Sequence, residues 1–149
     1  MDIEKILKQL FVEVPEMETL YNLTSDVCNP QMDGGAYAVW EIGVMHNVDF
    51  LLQEYLEYRE IVKDVFAFFE KLATHENADV RVFFQETTMH HFYENKPVLK
   101  TALQFMGDET KKLWYEFHEY IRCVYLLYLA GLYTDTEMDQ MGIPYRYPT

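Results

Sequence analysis

The sequence predicts an all-α protein, a single helical bundle or a short HEAT-like stack of about six or seven helices. Three observations carry that prediction. Apolar residues recur at helical spacing along almost the whole chain. Pro15, Pro30, the Gly34–Gly35 pair, Pro97, Gly107 and the two tail prolines punctuate those stretches. The only run that reads as strand, "VRVFF", has helical flanks and no turn chemistry. A chain of 149 residues with 50% hydrophobic content is expected to bury one core over residues 1–149 without metal or disulfide help.

The elements follow in order. Ile3, Ile6, Leu7, Leu10, Phe11 and Val14 make one buried face over residues 3–14. Pro15 interrupts it and opens a short second helix, "PEMETLYNL". "TSDVCNPQMDGG", residues 24–35, combines turn formers, a proline and a glycine pair, and reads as a long, mobile loop. From Tyr37 to Thr74 the pattern is helical, with a joint expected near Glu57–Arg59. Beyond it Ile61, Val62, Val65, Phe66, Phe69 and Leu72 face inward. "HENADV" is a break with Asn77 or Asp79 as the cap of the next helix. "ENKPVLKTALQFMG" places Pro97 in a first turn and Gly107 at the stop.

Asp108 is expected to cap a long final helix whose stripe is Leu113, Trp114, Phe117, Ile121, Val124, Tyr125 and Tyr128. The apolar run "CVYLLYLAGLY" is about half the length of a membrane span and reads as a buried helix end. "GIPYRYPT" closes the chain as an irregular tail.

Charge narrows the function. The net charge is −13, and it is uneven: residues 1–60 carry twelve acids against Lys5, Lys8 and Arg59, a balance of −9, leaving −4 for residues 61–149. Such a surface repels phosphate backbones and anionic membranes, so neither nucleic acid nor membrane is an expected direct partner. A field of this sign steers cationic partners instead. Cys28 and Cys123 suggest reduced thiols rather than a disulfide framework. "MDIEKILKQL" shows no export signal, and the expected location is cytoplasmic.

Catalytic and metal signatures are weak. His46 with Asp49, and Glu86 with His90, share helix faces, but each is half of a ligand set. His90 and His91 are adjacent and point in different directions. Ser25 lacks a nucleophile-elbow context, and no Gly-rich phosphate loop occurs. The carboxylate pairs Glu54/Glu57 and Glu116/Glu119 fit solvated helix faces better than acid–base work. The expectation is a non-enzyme with no cofactor and no resident metal.

The stretch "LLQEYLEYREIV", residues 51–62, sets acids beside aromatics. Glu57, Glu60 and Asp64 share one sector if the helix runs through them. Tyrosines supply contact area with a polar tip and are enriched at interfaces. The candidate partner-binding residues are Glu54, Glu57, Tyr58, Glu60 and Asp64, with Asp33 and Glu41 flanking the long loop. Tyr55, Tyr145 and Tyr147 are the other tyrosines least suited to a core.

Between residues 65 and 117, "FFEKLA", "ENADV" and "LKTALQFMGDETKKLW" resemble small, mostly helical bacterial immunity proteins of polymorphic-toxin and contact-dependent growth-inhibition systems. These motifs consist of core aromatics, caps and a glycine stop, so they specify a scaffold and transfer no catalytic residue. The resemblance implies a cytosolic antitoxin that binds a cognate protein toxin. The expected toxin is a basic nuclease, an RNase before a DNase, with an EndoU-like RNase as one form. A rival expectation is an acidic helical adaptor that binds a basic protein with no toxin partner.

Overall fold

The structure, a computed structural model, describes residues 1–28 and 35–141, without the side chains of residues 25–28 and 141. The described residues contain eight helical segments and no strand. They divide into two compact units, Met1–Leu113 and Trp114–Thr149.

In the first unit, α1 (Ile3–Glu13) begins where the Asp2 carboxylate accepts a hydrogen bond from the Glu4 amide at 3.0 Å. It buries Ile6, Leu7 and Leu10. Pro15 then starts α2 (Pro15–Cys28), since a first-turn residue needs no amide hydrogen. This helix continues through Thr24, Ser25 and Asp26 to Cys28, where the sequence predicts a loop from residue 24. The rest of that loop, residues 29–34 with Asp33, lies outside the described residues. So do residues 142–149 with Tyr145 and Tyr147.

The next helix, α3, spans 35–53 as Gly35–Trp40, a π turn at Glu41–Met45, and His46–Gln53. The chain turns at residues 54–58, where the sequence places the joint, and α4 (Arg59–Ala73) buries Val62, Val65, Phe66, Phe68, Phe69 and Leu72. Helix α5 covers 78–94 as Ala78–Phe84, a second π turn at Gln85–Met89, and His90–Glu94. Of the two candidate caps Asn77 does the capping: its side chain accepts from the Asp79 amide at 2.8 Å. Helix α6 (Lys96–Phe105) carries Pro97 in its first turn.

An aromatic ladder holds α3, α4 and α5 together. Phe66 stacks on Phe92 at 6.1 Å, Phe69 meets Phe84 at 5.4 Å, and the Trp40 ring meets Phe83 edge-on at 5.8 Å. Pairs of this kind add about 0.5–1.5 kcal/mol each beyond the area they bury.

Helix α7 (Asp108–Leu129) starts in the first unit and is not capped by its own Asp108. Glu70 of α4 does the capping: its carboxylate accepts from the Glu109 amide at 2.7 Å, the Thr110 amide at 3.0 Å and the Thr110 hydroxyl at 2.7 Å. Burial opposes the charge on Glu70, but these three donors prevail and lower its pKa. Gly107 is not in the left-handed region. A Cβ there would collide with the Glu70 carboxylate, so close approach explains the glycine better than its role as a stop.

In the second unit, α7 buries Trp114, Phe117, Ile121 and Val124. The apolar run after Cys123 is not wholly buried, because a helix hides one face: Leu126, Leu127 and Leu129 are exposed. The helix ends in a Schellman turn. Gly131 takes φ 80°, and the Leu132 and Gly131 amides reach back to the Leu127 and Tyr128 carbonyls. A short helix not among those expected, α8 (Asp135–Met141), follows a reciprocal box in which Thr134 and Glu137 bond each other's amides at 3.1 Å. No helix among the described residues is long and apolar enough to cross a membrane.

Candidate functional site

The acid–aromatic stretch forms a turn and the helix start after it. Glu54 accepts the amides of Glu57 and Tyr58 on its carbonyl, closing the turn, and α4 begins at Arg59. Glu57 therefore belongs to the turn, and the expected stripe is a bent patch rather than one helix face. Glu54, Glu57, Glu60 and Asp64 are all exposed. The two cations nearby are engaged: Lys63 pairs with Glu60 at 3.4 Å, and the Arg59 guanidinium lies 5.9 Å from the centre of the Phe105 ring.

Tyr58 is half-buried with its ring 5.6 Å from that of Phe50, which is 45% exposed. Tyr55 turns to the other side, edge-on to Phe105 at 6.0 Å. Beside Tyr58 opens a mostly apolar groove of about 240 Å³, bordered by Leu20, Phe50, Leu51, Ile61 and Glu16.

Glu41 sits apart from this patch, in the first π turn, where it meets His91. The Glu41 carboxylate is 2.5 Å from His91 Nδ1, and both Asp49 oxygens are 2.8 Å from Nε2. Asn95 donates to Asp49 at 3.0 Å. The imidazole is buried, which pulls its pKa down. The hydrogen bonds and charges of Asp49 and Glu41 outweigh that and raise it to about 9. His91 is thus a cation with both nitrogens donated to carboxylates. It has no lone pair to offer a proton or a metal.

The two π turns make this geometry. In α3 the Asn47 side-chain Nδ2 donates to the Gly43 carbonyl at 2.8 Å, and Gly43 lets the Tyr21 ring lie directly on the backbone. In α5 the Thr87 hydroxyl donates to the Phe83 carbonyl at 2.7 Å. The turns are joined by Trp40 Nε1, which donates to the Thr88 hydroxyl at 2.9 Å in the buried interior. Each π turn shifts the helix register by one residue.

Outside His91 the same turns border a cleft of about 360 Å³ that includes Tyr37, Glu86, His90 and Glu94. The Tyr37 hydroxyl donates to Glu86 at 2.5 Å, and His90 lies 3.1 Å from Glu94. Asp49 hydrogen-bonds His91, while Glu86 accepts from Tyr37 and lines the same cleft as His90. Among the described residues no group of three or more His, Cys, Asp or Glu side chains could hold a metal ion.

Fold and surface together define an acidic all-α scaffold with its histidine cation locked inside. The chain belongs to the family described as Domain of unknown function (DUF7674), which matches residues 7–121. No curated protein and no solved structure matches it.

Proposed function

We propose that the chain is a binding protein of the immunity type, which neutralises a basic protein toxin by covering its substrate cleft. The observation that supports this reading is the bent patch of Glu54, Glu57, Glu60 and Asp64, exposed beside Tyr58 and Phe50. Nuclease clefts are basic because they hold phosphates, and an acidic surface of this kind takes the place of the nucleic acid backbone. Aromatic anchors within the charged rim supply contact area that charges alone do not. The most strongly titratable buried group, His91, is tied to two carboxylates, which suits a structural bolt and not a general base. The reading carries a cytoplasmic site of action and no resident cofactor.

On this reading the partner to test is the C-terminal fragment of whatever protein is encoded just upstream of the gene. Co-expression is expected to rescue growth and to yield a complex that dissociates as salt rises. A toxic fragment that is neither rescued nor co-purified contradicts the immunity reading. The same patch also fits an adaptor for a basic protein, and an unrelated basic partner with no toxic neighbour would favour that role.

A further inference from the structure

Next to the acidic patch, the groove between α2, α3 and the start of α4 has a chemistry of its own. Leu51, 2% exposed, lies at its base, with half-buried Leu20 and Ile61 on either side. Phe50 and Tyr58 form an aromatic wall, and among the described residues Glu16 is the charged side chain on the border. At about 240 Å³ it is smaller than pockets for drug-sized ligands, which run to ~300–1,000 Å³, and suits one side chain.

Its surroundings are negative. Glu57 and Glu60 are the chain neighbours of the bordering Tyr58 and Ile61, while Arg59 is held over Phe105 and Lys63 is paired with Glu60. A second copy of this chain, itself at −13, is disfavoured as occupant by charge.

Resting on the binding-protein reading above, we propose that this groove is the anchor pocket of the interface. It receives a single Leu-, Met- or Phe-sized side chain of the partner polypeptide, flanked there by Lys or Arg. The apolar side chain packs over Leu51 against the wall made by Phe50 and Tyr58, and its basic neighbours reach Glu16, Glu57 and Glu60. The arrangement is that of a desolvated anchor within a charged rim, where the anchor sets the lifetime of the complex and the rim its rate of formation.

Two synthetic peptides test the pocket on the full chain at low salt: Arg-Lys-Leu-Lys-Arg, and the same peptide with Ser at the centre. Methyl- and amide-detected NMR is expected to show the Leu peptide moving the methyls of Leu20, Leu51 and Ile61. It should bind about tenfold or more tightly than the Ser peptide, the worth of burying one such side chain. Thr19→Trp, which plugs the groove from its exposed border, should remove that difference. Equal affinities with amide shifts confined to residues 54–64 overturn the pocket and leave the acidic surface standing. No response to either peptide overturns both.

Discussion

His91 takes its partners from residues fifty and forty-two positions earlier, Glu41 and Asp49. Sequence spacing along one helix could not reveal that constellation; what it offered, Asp49 beside His46 and Glu86 beside His90, were pairs within a single helix. Because the folded pKa of His91 is raised, its contribution to stability is complete below the unfolded value near 6.5. It is lost as pH rises through about 9. Urea titrations should therefore show a fall of roughly 1–3 kcal/mol over that interval, discounted for the exposure of Glu41. His91→Gln leaves two carboxylates facing each other without their cation. It is expected to cost about 2–4 kcal/mol at neutral pH and to flatten the dependence in that window. Gly43→Ala acts through packing: its new methyl overlaps the buried Tyr21 ring, and a loss of about 1–3 kcal/mol should appear in thermal unfolding.

Helices and their order were legible because apolar spacing and punctuation act locally. The joint before Arg59, the Asn77 cap and the entry of Pro97 into α6 all follow from residues within a few positions of each other. The π turns were not legible. An inserted residue is stabilised by contacts such as Trp40 with Thr88, which join different helices. The cap of α7 has the same origin, since Glu70 lies on another element. Helix α8 is different: "TDTE" carries its capping-box signature in plain view at residues 134–137. For α7, Glu70→Ala should cost about 1 kcal/mol and speed amide exchange at Glu109 and Thr110. The wild-type cap should weaken as pH falls through the carboxylate range, because a lowered pKa contributes above the unfolded value and not below it.

For the whole molecule, charge was the most informative sequence feature, and the structure gives it a place. The acids at residues 54–64 are exposed, whereas Glu41 turns to His91. Sequence periodicity placed Glu57, Glu60 and Asp64 on one helix stripe; the turn at residues 54–58 instead folds Glu57 away from the helix that carries Glu60 and Asp64. The adjoining groove was not legible, since its walls come from α2, α3 and α4. A steered complex formed by this patch should associate quickly at low salt and lose most of that advantage at high salt.

If the acidic patch binds a basic protein, reversing its charge should break the complex. The measurement is the affinity of the co-expressed toxin fragment for the wild-type chain and for the triple variant Glu57→Lys, Glu60→Lys, Asp64→Lys, with helicity followed by circular dichroism. All three side chains are exposed, so helicity should be unchanged. Binding is expected to weaken about a hundredfold or more, with association slowed and its salt dependence reduced. An unchanged affinity in the folded variant would contradict it and move the interface elsewhere on the molecule.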